Sequence, residues 1–190
     1  MFLNNIPFHA VTLKSNTLCE QISELLASLS EIKDYKIIFT MPNADTDGRE
    51  IHQLIERFCM DNNNCQAFTS LGQLRYLSCL KYVDVVVGNS SSGLLEVPSF
   101  GIATVNIGDR QKGRLKAVSI IDCEPKKSQI TASINKAISA EFKKSCEFVT
   151  NPYGDGGASE KILQKIEGVD IKNLLKKKFF DTPNLDINLK

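Results

Sequence analysis

The chain has 190 residues, 42% hydrophobic and 24% charged, with a formal net charge of +1. That length suits one well-buried α/β domain and is short for two. Near-neutral charge offers no handle for nucleic acid or an anionic membrane, and no run approaches the ~20 apolar residues of a membrane span.

The opening MFLNNIPF has neither the basic start nor the long apolar stretch of a secretory signal, so the cytoplasm is the expected compartment. Six cysteines, at 19, 59, 65, 79, 123 and 146, fall mostly in apolar segments with no CxxC spacing. They read as reduced core thiols, and no metal or other cofactor is expected.

In chain order, the first expected strand is Ile6 to Val11, and His9 stands in it within PFHAVT. A histidine there suits a general acid beside a cleft or an ordinary structural role. TLCEQISELLASLSEI places Leu18, Ile22, Leu25, Leu26 and Leu29 on one helical face. YKIIFT, Tyr35 to Thr40, is the next strand. The loop MPNADTDGRE follows, with Asn43, Asp45, Asp47 and Arg49; it is either part of a site or a polar turn into a capped helix. That helix, GREIHQLIERFCM, aligns Ile51, Leu54, Ile55 and Phe58, and its His52 takes no role. Strands are then expected at Cys65 to Thr69, Val83 to Gly88, Ala103 to Ile107 and Val118 to Asp122. A helix over Lys127 to Ile138, a turn NPYGDGGAS and a helix over Glu160 to Ile166 come next. The segment from Ile171 to Lys190 reads as a partly frayed tail.

Short, continuously apolar strands alternating with amphipathic helices specify a parallel sheet covered on both faces with right-handed crossovers. The expectation is therefore an α/β, Rossmann-like, doubly wound sheet of about six strands. It occupies residues 1–168 as a nucleotide-binding domain, with 169–190 as tail. In such sheets ligands bind outside the carboxyl ends of the strands.

Two loops at those ends carry chemistry. GNSSSGLLEVPSFG, residues 88–101, follows the strand Val83–Gly88. Ser90 and Ser91 supply hydroxyls, and the amides of Ser91, Ser92 and Gly93 are expected to face a phosphate at a helix start. Glu96 suits the two hydroxyls of a ribose. The same residues also suit a serine-capped helix with an exposed glutamate. GDRQKGR, residues 108–114, brings Arg110, Lys112 and Arg114 next to that loop, either to pair with a diphosphate or as a solvated basic turn.

Taken together, PFHAVTL, FTMPNADTDGRE, VVVGNSSSGLLEVPSFG, VNIGDRQKGR and NPYGDGGAS resemble, in order and spacing, the C-terminal domain of the UDP-N-acetylglucosamine 2-epimerases. The triple serine matches the hydrolysing branch of sialic-acid-type synthesis, since the other branch has Asp-Ser-Gly-Gly there. The resemblance runs from about residue 6 to about 168. It implies one half of a glycosyltransferase-B fold, with a UDP-sugar in the cleft between two domains. By the same resemblance Ser90 and Ser91 contact the diphosphate, Glu96 the ribose, and Arg110 the nucleotide. Asn43 becomes a cleft residue and His9 the active-site histidine.

The implied reaction eliminates UDP from UDP-N-acetylglucosamine and adds water, releasing N-acetylmannosamine. Family enzymes are nearly twice as long. The acidic residues that handle the C2 proton belong to their N-terminal domain, so this chain is expected to be inactive without that half as a partner. Apolar surface left uncovered by it favours self-association into a homo-oligomer. Two departures are visible: the family's His-Pro-Val-Thr reads His9-Ala10-Val11-Thr12 here, and Pro7 interrupts the expected strand. Competing readings are a stand-alone UDP-binding module, a fragment that binds nothing, and an epimerase for a diacetylated bacillosamine-type UDP-sugar.

Overall fold

A computed structural model describes residues 2–5, 18–32, 35–41 and 48–169. Its sheet contains β1 (Phe2–Asn5), β2 (Lys36–Thr40), β3 (Cys65–Phe68), β4 (Val85–Gly88), β5 (Ala103–Ile107) and β6 (Ile120–Cys123). The spatial order is β3-β2-β1-β4-β5-β6 and every pairing is parallel. This is the doubly wound order, in which chain direction across the sheet reverses between β1 and β4. The expected Rossmann-like sheet of about six strands is what is found.

The helices are α1 (Leu18–Leu29), α2 (Gly48–Asp61), α3 (Gly72–Leu80), α4 (Ser92–Leu95), α5 (Lys127–Ile138), α6 (Ala140–Cys146) and α7 (Ala158–Glu167), with a 3-10 turn at Val97–Phe100. Contacts divide the chain into residues 1–155, which carry the sheet, and residues 156–190, which carry α7. The tail from residue 170 lies outside the described residues. Among the described residues no helix is long and apolar enough to cross a membrane.

Alternation along the strands sorts the core into two layers. Val85 and Val87 of β4 join Ile22, Leu25, Ile37, Phe39, Val105 and Ile134 in the larger cluster, supplied mainly by α1, α2 and α5. Val86 points the other way, onto Leu80, Val83 and Val97. Strands β4 and β5 are buried at every residue, the pattern of a parallel sheet covered on both faces. Phe39 and Phe58 meet edge-to-face at 5.9 Å between centroids.

Helix α5 begins without a cap from its own flank, Lys126 offering no side-chain acceptor. Its first amide, that of Lys127, donates instead to Glu24 Oε2 of α1 at 2.6 Å, and Ser28 and Thr131 join hydroxyls at 2.8 Å nearby. The long-range pair thus satisfies one of the helix's orphan donors.

The first described strand is Phe2–Asn5, bonded to β2 on one edge and β4 on the other, and the strand anticipated at Ile6 to Val11 lies outside the described residues.

Candidate functional site

Strand β4 ends at Gly88, beside the point where the sheet order reverses, and the serine loop begins there. Asn89 is buried, while Ser90, Ser91 and Ser92 are half-buried. The turn is stitched by the Gly93 amide donating to the Ser90 carbonyl at 3.2 Å and the Ser92 amide reaching the Ser90 hydroxyl at 3.4 Å. From β5, the Thr104 hydroxyl donates to the Gly93 carbonyl at 2.9 Å and fixes the turn from beneath.

These bonds alter the expected chemistry. Gly93, thought to present its amide to a ligand, uses it to close the turn. Helix α4 lasts a single turn, because Pro98 cannot continue it and the chain passes into the 3-10 turn. Its macrodipole is correspondingly small. The 3-10 turn closes on Gly101 at φ 65°, where an added Cβ would sit 3.2 Å from the Cys146 carbonyl.

Glu96 caps the end of α4. Its Oε2 accepts from the Ser92 hydroxyl at 2.5 Å, and Ser92 in turn shares a 2.6 Å hydrogen bond with the Tyr76 hydroxyl of α3. Burial pushes the Tyr76 phenol well above its ordinary range, partly offset by the Ser92 hydrogen bond, so it remains a protonated donor at neutral pH.

The basic loop is tied to the serine loop at one atom. Arg110 Nη1 and Gln111 Nε2 both donate to the carbonyl of Asn89, at 3.0 and 2.7 Å. Gln111 is buried, whereas Arg110 keeps much of its guanidinium exposed. Partial desolvation, and then the charge of Arg114, lower the Arg110 pKa from its ordinary value without threatening its charge. Lys112 and Arg114 are exposed on the same loop.

The structure therefore joins Arg110 to the residue preceding Ser90 and places Glu96 at the other end of the same short segment. His9 and Asn43 lie outside the described residues. Ser92 was read in the sequence for its amide and not for its hydroxyl, while Tyr76 and Gln111 escaped that reading. So did Asn151, which donates to the Leu95 carbonyl at 2.8 Å and the Ser99 hydroxyl at 2.7 Å, and Tyr153, whose hydroxyl donates to the Leu115 carbonyl at 3.0 Å. The segment read as a plain Gly-rich turn thus clasps both loops through Asn151 and Tyr153.

The six cysteines are free thiols, Cys146 buried and the rest half-buried. Desolvation, followed by the neighbouring Cys59, pushes Cys65 up to about 11. Desolvation also takes Cys123 to about 11 against an opposing Ser133 hydrogen bond. Thiols so shifted are poor nucleophiles.

A family model described as UDP-N-acetylglucosamine 2-epimerase matches residues 5–167. The chain belongs to this family. That agrees with the resemblance read from the five motifs. Over 178 residues it is 36% identical to the Campylobacter jejuni GDP/UDP-N,N'-diacetylbacillosamine 2-epimerase (hydrolyzing), covering 93% of this chain and 46% of that protein. Over 180 residues it is 37% identical to the Escherichia coli polysialic acid biosynthesis protein P7, covering 94% and 46%. The chain spans about half the length of the curated relatives it matches.

Among solved structures, a Methanocaldococcus jannaschii UDP-GlcNAc 2-epimerase in complex with UDP-GlcNAc and UDP superimposes with a TM-score of 0.69 at 16% identity, over 87% of this chain and 45% of that one. The C-terminal domain of a glycosyl transferase group 1 family protein from Francisella tularensis gives 0.54 at 16% identity, over 80% and 82%. At such identities the likeness is one of fold. It agrees with the expectation that the epimerase-family sheet is one half of a glycosyltransferase-B fold.

Proposed function

We propose that the chain is the nucleotide-binding, C-terminal half of a hydrolysing UDP-N-acetylglucosamine 2-epimerase, acting in the cytoplasm and catalytic only when the other half is supplied. The observation that carries this is the Asn89 carbonyl junction, which brings a partly exposed arginine against a serine turn at the switch point of the sheet. In this reading the Ser90 and Ser91 hydroxyls and Arg110 hold the diphosphate, and Glu96 accepts from the ribose diol. By the family resemblance, Asn43 is the further cleft residue and His9 the active-site histidine.

The chemistry loses the C2 proton to a base while the bond from C1 to the UDP oxygen breaks, leaving a glycal and UDP. Water then returns a proton to the opposite face of C2 and hydroxide to C1, giving N-acetylmannosamine. Negative charge grows on departing UDP, so Arg110 and a protonated His9 stabilise the transition state more than the bound substrate. The C2 base belongs to the half that is supplied. Relatives of this chain include both a UDP-N-acetylglucosamine and a UDP-N,N'-diacetylbacillosamine 2-epimerase, and the second sugar is the alternative substrate.

Calorimetric titration of the chain with UDP, UMP and uridine tests the reading. Binding that requires the diphosphate is expected. UMP or uridine binding as tightly as UDP would overturn the assignment of Ser90, Ser91 and Arg110.

A further inference from the structure

The hydrogen bonds behind Glu96 have a direction. A carboxylate only accepts, so the single proton of the Ser92 hydroxyl is spent on Glu96 Oε2, at 2.5 Å. The Ser92 oxygen must then receive from Tyr76, 2.6 Å away, which leaves one polarity for the chain: Tyr76 to Ser92 to Glu96. The phenol is itself fixed, its ring packing against the apolar cluster of Leu80, Val83, Val86 and Val97 on the smaller face of the sheet. A rigid donor at one end and an acceptor at the other hold the carboxylate in one rotamer through Oε2 alone, so the second oxygen takes no part in the chain.

We propose that Tyr76 is a positioning residue for nucleotide recognition, acting through Ser92 to hold Glu96 in the orientation that accepts the ribose hydroxyls. This rests on the UDP-binding reading above and deepens it. An unfixed Glu96 would have to surrender side-chain freedom on binding, and preorganisation removes that cost. The hydroxyl protons of Tyr76 and Ser92 are both spent along this chain of hydrogen bonds. Their effect is therefore confined to the ribose and passes entirely through Glu96.

The test is a double-mutant cycle read by calorimetry on the full chain, with UDP and inorganic diphosphate as probes and thermal melting to confirm folding. Tyr76→Phe keeps the packed ring and removes only the donor. It is expected to weaken UDP about three- to tenfold, the range for one hydrogen bond, and to leave diphosphate unchanged. In a Glu96→Ala background the same substitution is expected to do nothing further. Ser92→Ala provides a second route to the same broken chain and should match Tyr76→Phe.

Glu96→Ala weakening UDP while Tyr76→Phe and Ser92→Ala bind like the unsubstituted chain would overturn the positioning role and leave the ribose assignment standing. Equal losses for UDP and diphosphate, or a Tyr76→Phe effect that persists without Glu96, would also overturn it, since both mark a general structural role. A chain that binds no UDP, or a Glu96→Ala variant that binds it normally, would overturn the underlying reading and this inference together.

Discussion

Arg110 donates to the backbone carbonyl of Asn89 at 3.0 Å and so ties the basic loop after β5 to the serine loop after β4. The guanidinium has further N–H groups that this bond does not consume. Lysine has the charge but not the planar fork, and must choose between the carbonyl and an anion. Arg110→Ala is expected to weaken UDP by about 1.5–3 kcal/mol, the range for a charge-assisted hydrogen bond. Arg110→Lys should recover only part of that. Because Gln111 still satisfies the Asn89 carbonyl, the melting temperature should barely move. Calorimetry alongside thermal melts checks both halves of the expectation.

Gln111 is the structural partner in that pair. It is buried, and while its Nε2 serves Asn89, its Oε1 has no hydrogen-bond partner among the described residues. Gln111→Leu removes the unpartnered Oε1 together with the donor, while Arg110 still serves the Asn89 carbonyl, so a cost of no more than about 1 kcal/mol is expected. Gln111→Glu should cost more, since it sets a buried carboxylate oxygen against the Asn89 carbonyl in place of a donor. Denaturant midpoints at an unchanged slope would measure these costs.

The buried bond from the Thr104 hydroxyl to the Gly93 carbonyl offers a near-isosteric probe of the serine turn. Thr104→Val preserves volume and leaves that carbonyl without its donor. A loss of about 1–2 kcal/mol in denaturant stability is expected, with a smaller loss of UDP affinity as the turn loosens. Unchanged stability would show the carbonyl finding water.

Away from the site, Glu24→Ala should destabilise the fold by about 1 kcal/mol, the usual worth of a lost N-terminal cap. The salt bridge from Lys127 to Glu31, 2.6 Å long but about half exposed on both sides, should contribute much less. Urea unfolding of Glu24→Ala and Glu31→Ala compares the two directly.

Cys65 and Cys123 bind their protons more tightly in the folded chain, at about 11 against an ordinary 9.0. Their contribution to stability is complete below pH 9 and is lost as pH rises through 11. Two outcomes are expected: stability falling over that alkaline window, and slow alkylation by iodoacetamide at pH 8 until denaturant is added. Fast alkylation of the native chain at either position would contradict the burial that raises them.

Much of this was legible in the sequence. Runs such as VDVVVG and ATVNI are apolar without alternation, which only a doubly covered parallel strand explains, and Lys127 to Ile138 was bounded correctly by its spacing. What escaped was short or proline-dependent. Helix α3 has no side-chain cap and one buried residue, Leu80, so its periodicity is faint. Helix α6 did carry a signal, Ser139 accepting from the Phe142 amide at 3.3 Å, but at seven residues it offers little pattern besides. The serine and basic loops were found because their residue types are unusual at strand ends. Tyr76 and Asn151 were not, because their importance lies in partners 16 and 56 residues away that no local window contains.

The sheet order also dictates a schedule. Leu3 of β1 pairs with Ile37 on one side and with Val85 on the other, so this central strand precedes both of its neighbours along the chain. Emerging from a ribosome, β1 finds its first neighbour quickly but waits for the whole of α2, β3 and α3 before its second edge is covered. During that wait the edge is an open template for foreign strands, and closing so long a loop is slow. On this topology, the docking of β4 is the step expected to close that edge.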